Sequence, residues 1–450
     1  MARLLIATMP ITGHVQPAVP IARKLVMNGH DVRWYTGKRF QSRVEAVGAR
    51  FVPMKAAYDF NDLKLNEAFP GRSRLKDFPQ LKFDLQHIFG DAGTGQVSDL
   101  QEVLNEFPAD AILCDTGFAG ARLLHELGGP PWAVFSISAL TVSSRDTAPF
   151  GLGILPDRSA IGRIRNHALN ALVNKVLFRD VSNNYNKTRA SLGLKPFRGG
   201  IFDTPVSPFL YLQATVPSFE YPRSDLPPQA HFIGPFLPEA SDGFTPPPWW
   251  REVIESERPV VHVTQGTSAT DPSQLIAPTL RALANEDMWV VATTTLKLDE
   301  AGMAALGPIP ANARVEPFIP YYDLLPHVRA MVTNCGYGGV QAALARGIPL
   351  VAAGNTEDKP EIANRISWSG VGINLRTKTP TPEKIREAVR AVMSERRYRQ
   401  RAKRMQEQMS HYDAPAIAAR LIEQLAATGQ PCTSPSTRGR PAAPIPRPQS

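Results

Sequence analysis

The feature that most constrains the fold is a rhythm. Short apolar runs alternate with helical patterns from the first residues almost to the last. Arg3 to Thr8 is such a run, and the turn Pro10-Ile11-Thr12-Gly13-His14 follows it. A helical pattern (Val15, Val19, Ala22, Leu25, Val26) then stops at Asn28-Gly29, before the next run, Asp31 to Tyr35. A short run without polar alternation suits a parallel strand covered on both faces. Strand, helix, strand makes a βαβ unit, and its crossover is right-handed. A helix over 38–47 and a strand over Arg50 to Pro53 continue the series, with later strands at Ala109 to Cys114, Trp132 to Ile137, Phe209 to Gln213 and His231 to Ile233. Two stretches lose the rhythm. Residues 56–95 read as irregular helices and loops over the top of the sheet, and 140–200 as helical excursions with apolar patches (Leu169, Leu172, Val173, Val176, Leu177).

The Pro-rich run from Gly234 to Trp250 breaks the composition and reads as a linker. Beyond it the rhythm restarts, with strands at Val260 to Thr264, Trp289 to Thr293, Ala313 to Glu316, Ala330 to Thr333, Ile348 to Ala352 and Val371 to Leu375. A chain of 450 residues exceeds one ordinary core. The fold class predicted is α/β, two Rossmann-like doubly wound domains in tandem. Their bounds are 1–234 and 251–428, joined by a linker at 235–250, with the last helices within reach of the first domain. From Gly429 to Ser450 the Pro/Ser/Arg tail has almost nothing to bury and is expected to be disordered.

The formal charge of +9 is concentrated partly in the last helices and tail, without interleaved aromatics, which reads as a solvated face plus a disordered end rather than a nucleic-acid stripe, with a weak attraction to anionic membrane as the alternative. Three cysteines, Cys114, Cys335 and Cys432, form no pair of metal spacing and no disulfide framework. The N-terminal apolar run is too short for a signal peptide, and no stretch approaches a membrane span, so a cytoplasmic protein without stable membrane insertion is expected.

In open α/β sheets, ligands sit outside the carboxyl ends of the strands, near a switch point. His14 and Asp115 both fall there. Together they suit a general base and the carboxylate that fixes its tautomer; separately, His14 reads as a helix-start residue and Asp115 as an N-cap. In the second half, Val332-Thr333-Asn334-Cys335-Gly336-Tyr337-Gly338-Gly339 reads as strand, glycine turn and helix N-terminus, a geometry that aims backbone N–H groups at a phosphate or simply packs a tight connection. It matches neither dinucleotide fingerprint nor Walker A. Gly266-Thr267 after strand 260–264 is a phosphate contact or a capped turn. Phe318-Ile319 after strand 313–316 offers a ring to a base or to the core. Asp358 and Lys359 open a helix, where an acidic residue is ordinarily a dipole partner.

These stretches carry a resemblance. Gly13-His14-Val15-Gln16-Pro17 looks like the G-H-x-x-P opening of family 1 glycosyltransferases, which have the GT-B fold of two domains facing a central cleft. Asn334 to Gly339 is similar to their H-x-G-x-x-S donor-phosphate loop, and Gly347-Ile348-Pro349 and Asp358-Lys359 sit where the family has G-[VI]-P and Asp-Gln. Phe318-Ile319-Pro320 with Leu324-Leu325 resembles W-[VI]-P…L-L. The match runs in order to about residue 427. The resemblance implies that His14, paired with Asp115, deprotonates an acceptor hydroxyl that attacks a nucleotide sugar with inversion. The diphosphate leaves into 334–339, with Thr267 on a phosphate oxygen and Asp358 on the sugar hydroxyls. No cofactor or divalent metal is implied, and no acidic pair has metal spacing.

Departures from the family pattern bear on the donor. Asn334 stands for the usual histidine, able to donate an N–H but not to carry charge. Ala342 stands for a glutamate that binds both ribose hydroxyls, with Gln341 next to it. Lys359 stands for Gln, and Phe318 for Trp. The expected substrates are UDP-glucose and a small hydrophobic acceptor (a macrolide, other polyketide, flavonoid or phenol), the acceptor pocket being lined from 56–90 and 140–180. The alternatives are a dTDP-deoxysugar transferase, a sugar-nucleotide epimerase of the same fold, and a non-catalytic helper of another transferase.

Overall fold

The computed structural model describes residues 1–239, 243–266, 269, 271–295, 297–354 and 356–434. Two wholly parallel sheets carry the chain. The first contains β1 (Arg3–Ala7), β2 (Asp31–Thr36), β3 (Arg50–Pro53), β4 (Ala111–Asp115), β5 (Trp132–Phe135), β6 (Leu210–Gln213) and β7 (Ala230–Phe232), in the order β3-β2-β1-β4-β5-β6-β7. The second contains β8 (Val260–Thr264), β9 (Trp289–Thr293), β10 (Ala313–Glu316), β11 (Val328–Thr333), β12 (Leu350–Ala352) and β13 (Gly372–Asn374), in the order β10-β9-β8-β11-β12-β13. Both sheets therefore reverse direction once, between β1 and β4 and between β8 and β11. Register keeps the carboxyl ends level at these points, with Ala7 opposite Cys114 and Thr264 opposite Thr333.

The apolar runs work as buried strands because alternate side chains feed two cores. Leu4 and Ile6 pack with Val15, Leu25, Leu421 and Leu425 on one face of the first sheet, and Leu5 and Ala7 pack with Leu100, Ile112 and Leu123 on the other. The second sheet divides in the same way, Val260 and Met331 on one side, Val261 and Val332 on the other.

The helix Ala414–Thr428 lies on the first sheet beside Thr12–Met27, where Glu423 accepts hydrogen bonds from Asn28 (2.6 Å) and His30 (3.0 Å). The predicted disorder from Gly429 is corrected for 429–434. The Cys432 N–H donates to Phe209 O and the Ser434 N–H to Pro228 O, each at 2.8 Å, and Cys432 is buried. The polar composition hides this because the segment is held by its backbone along the sheet rim. Residues 435–450 of that tail lie outside the described residues. The linker is anchored at both ends: Phe236 packs on the first core, Phe244 and Trp249 on the second, and Trp249 Nε1 donates to Glu316 at 2.8 Å. Among the described residues no helix is long and apolar enough to cross a membrane.

Candidate functional site

At the first switch point the chain brings an imidazole onto a carboxylate. His14 lies in the first turn of its helix, and Asp115 ends β4, fully buried. Asp115 Oδ1 meets His14 Nδ1 at 2.6 Å and accepts the Gly117 N–H at 2.6 Å, while Oδ2 accepts the Met9 N–H at 2.9 Å. The helix-capping reading of Asp115 is corrected, since the following helix begins only at Gly120. A Cβ at position 117 would lie 2.7 Å from His14 Cε1, so this approach needs glycine. Phe89 stacks on the imidazole, centroids 5.7 Å apart. A carboxylate only accepts, so Nδ1 carries the hydrogen and Nε2 keeps the lone pair that can take a proton.

His14 lines a cavity of about 650 Å³. Its walls come from 62–90, from Phe150 and Gly151, from Val181 and Tyr185, and across the cleft from Glu357 and Asp358. His14 and Asp358, from opposite halves of the chain, thus face one space. Asp358 stands at the N-cap of Lys359–Trp368, but its side chain makes no cap hydrogen bond; its Oδ2 instead accepts the Ser138 hydroxyl at 2.5 Å. Burial pushes the Asp358 carboxyl upward, against the pull of Ser138 and Lys359. The Lys359 ammonium lies 2.5 Å from Glu357; burial pulls its pKa down, but Glu357 together with Asp358 outweighs that and leaves it raised.

The phosphate-like loop lies apart from this cavity. Cys335 takes φ +71°, the left-handed region, which turns the chain sharply before Gly336 at the N-cap of Tyr337–Leu344. The N–H groups of Tyr337, Gly338 and Gly339 occupy the first turn, without a side-chain cap. A Cβ on Gly338 would meet nothing within 4 Å. Gly266 and Gly336 both face the Asn334 amide. One N–H of the Asn334 Nδ2 donates to Gln265 O, and its buried Oδ1 has no hydrogen-bond partner among the described residues. Thr267 lies outside the described residues. Phe318 is 70% exposed, whereas the Ile319 side chain, 1% exposed, belongs to the second core, so any ligand contact at 319 is through backbone. Ala342 is core, and Gln341 accepts the Thr215 hydroxyl at 2.8 Å.

Sequence reasoning missed the ties that fix the two halves. Arg365, fully buried, meets Glu220 of the first half at 2.8 Å and Glu361 at 3.0 Å. Glu361 also accepts the Gly151 and Gly153 N–H groups at 3.1 and 2.8 Å, and Tyr337 accepts from Gln213 at 2.9 Å. Apart from the i,i+4 pair Arg365–Glu361, these pairs span more than a hundred residues, and no local pattern signals them. Among the described residues no group of three or more His, Cys, Asp or Glu side chains is placed to hold a metal ion.

Comparison with known proteins gives three findings. Residues 278–425 match the family described as erythromycin biosynthesis protein CIII-like, C-terminal domain. The chain is 48% identical over 425 residues to 4'-demethylrebeccamycin synthase of Lentzea aerocolonigenes, covering 94% of this chain and 99% of that one, and 36% identical over 438 residues to UDP-glycosyltransferase 2 of Phaeomoniella chlamydospora, covering 94% and 96%. The crystal structure of CalG4, the calicheamicin glycosyltransferase, superposes with a TM-score of 0.72 at 22% identity, over 96% of this chain and all of that one, which shows the two-domain fold.

Proposed function

Since the chain belongs to the family 1 glycosyltransferases, we propose that it moves a hexose from UDP-glucose to a hydroxyl of a small hydrophobic acceptor, with inversion at the anomeric carbon. One observation carries this reading: a buried imidazole, oriented by a carboxylate, shares a cavity with an aspartate from the other half of the chain. His14 Nε2 takes the proton of the acceptor hydroxyl as its oxygen attacks the anomeric carbon. Asp115 holds the ring and stabilises the imidazolium that forms. The sugar–phosphate bond breaks as the new bond forms on the opposite face, and the diphosphate leaves toward the first turn at Tyr337–Gly339. There the helix dipole and free N–H groups receive its charge, so this route uses neither a cofactor nor a divalent ion. Asp358 accepts from the sugar hydroxyls, with Gly266, Thr267, Asn334, Gly336 and Lys359 around the phosphates and sugar, and Phe318 with the backbone at Ile319 against the base.

The cavity suits an apolar acceptor of natural-product type, since Ile88, Phe89, Phe118, Val181 and Phe202 line it. One relative's name as a synthase of 4'-demethylrebeccamycin supports that class, and another's as a UDP-glycosyltransferase supports the donor. A dTDP-sugar is the second reading, favoured by a specific observation: Ala342 is core and Gln341 is bonded to Thr215, so neither side chain serves a ribose diol. The reaction also fits a cytoplasmic enzyme.

The test is incubation with UDP-glucose or dTDP-glucose and a panel of phenolic and polyketide acceptors, comparing parent with His14→Ala. Glycoside formation that disappears in the variant is expected. Undiminished transfer by His14→Ala, or nucleotide release without glycoside, overturns the mechanism.

A further inference from the structure

The helical excursion outside the acceptor cavity has an apolar face that none of the described residues covers. Ile161, Ile164, Ala168, Leu172 and Val176 recur at three- and four-residue spacing along Ala160–Leu172 and the turn that continues it, which places them on one stripe. Ile161 is 80% exposed, Ile164 72% and Val176 63%. Apolar residues scattered singly need no explanation, but an aligned stripe does. Its charge is mostly of one sign: residues 158–179 hold Arg158, Arg163, Arg165, Lys175 and Arg179 and no acidic side chain, and of the bordering Asp157 and Asp180 the latter is paired with Lys82. Arg158 and Arg163 are tied to the buried Asp146, whereas Arg165, Lys175 and Arg179 have no ion pair among the described residues.

We infer that this face is a docking surface for an anionic lipid bilayer, with the stripe in the interfacial layer and the basic flank against phosphate headgroups. An exposed apolar stripe with a basic flank is the pattern of a helix that lies in the membrane interface without spanning it. A second copy of the chain is the poorer occupant, because two-fold pairing of this face sets one basic flank against the other. The chain's own C-terminal segment is no better matched, carrying Arg438, Arg440 and Arg447.

The stripe also backs onto the cavity. Beneath it Val173, Phe178 and Val181 form a small core with Leu81 and Leu85, and Val181, Leu81 and Leu85 line the cavity. Docking there sets one cavity wall against the layer in which apolar acceptors dissolve.

The experiment is co-sedimentation of the full chain with vesicles of phosphatidylcholine alone or mixed with phosphatidylglycerol. Binding is expected only to the anionic vesicles, weakening as salt rises. The variant Ile161→Ser/Ile164→Ser keeps every charge, and its vesicle affinity is expected to fall about tenfold or more. Its melting temperature and its turnover of a water-soluble acceptor stay at parental values, which separates failure here from failure of the glycosyltransferase reading. Equal binding by parent and variant overturns the proposal by assigning the attraction to general basic charge. Absence of binding to anionic vesicles overturns it too, as does self-association of the parent that the variant loses, which assigns the stripe to a second copy.

Discussion

The two switch points occupy the same place in the same strand order, yet they are wired differently. Between β1 and β4 an ionisable pair, His14 and Asp115, is fully partnered on the Asp115 side and opens on a cavity. Between β8 and β11 the corresponding contact is neutral, an Asn334 amide against the Gln265 carbonyl, with an oxygen that has no partner among the described residues and a helix start beside it. The second sheet has a switch-point histidine as well, but His262 lies within β8, in the core, with Nδ1 on Val291 O at 2.9 Å. A doubly wound sheet supplies the location, and the residues placed there decide between moving protons and receiving a diphosphate. A base needs a lone pair facing substrate and a fixed tautomer; a charge-receiving loop needs only dipoles.

The largest effect should come from breaking the first pair. His14→Ala is expected to lower kcat by about 10²–10⁴-fold with the fold intact, measured by product formation and by thermal melting. Asp115→Asn should act in the same direction. An outcome in which both variants keep parental kcat would make the two switch points equivalent scaffolds.

Next comes the register between the two points, which Arg365 holds. Arg365→Met leaves Glu220 and Glu361 buried without their cation and should cost about 3–5 kcal/mol in urea unfolding. Adding Glu220→Gln and Glu361→Gln should recover most of that loss, and no recovery would show that lost packing dominates.

The buried histidine of the second sheet then gives a test in pH. Burial pulls His262 from its ordinary 6.5 down to about 4, only partly opposed by the Val291 carbonyl. The folded state therefore refuses a proton that the unfolded chain accepts between those values. The sign follows: the stability is fully present above pH 6.5 and is lost as pH falls toward 4, on the order of 3 kcal/mol in total. His262→Asn keeps a donor for Val291 O and removes the titration, so its melting temperature should fall less steeply than the parent's between pH 6.5 and 4. Parallel curves would place the acid sensitivity elsewhere.

What was legible in the sequence followed distance along the chain. The strands were readable because each is a local apolar run, and His14 and Asp115 because each follows its own strand into a switch point. Asp358 could be placed at a helix start, but its bond to Ser138 crosses the cleft, and nothing near position 358 encodes it. Arg365 was invisible for the same reason: a buried guanidinium looks, in sequence, like any helical arginine. The burial of the Ile319 side chain is not legible either, because an apolar residue beside an exposed aromatic can turn either way. The 429–434 segment was misjudged because backbone pairing leaves no trace in side-chain composition.

The smallest effect, and the finest test of the comparison, lies at Asn334. Its Nδ2 satisfies a buried carbonyl while its Oδ1 is left over, so the side chain is half matched in the folded protein. Asn334→Ala removes the donor from Gln265 O, which alone costs about 1–3 kcal/mol, but it also removes the unpartnered oxygen, so a net loss near the lower end is expected in urea unfolding. Asn334→Asp is nearly isosteric and separates structure from ligand binding. It removes the donor and sets a carboxylate beside the first turn at Tyr337–Gly339. If that turn receives the diphosphate, like-charge repulsion should raise the KM for the nucleotide sugar by about tenfold, roughly 1.4 kcal/mol, with the acceptor KM unchanged. Equal KM values in Asn334→Asp and Asn334→Ala would mean that the diphosphate never comes near position 334, and the second switch point would then be a packing turn.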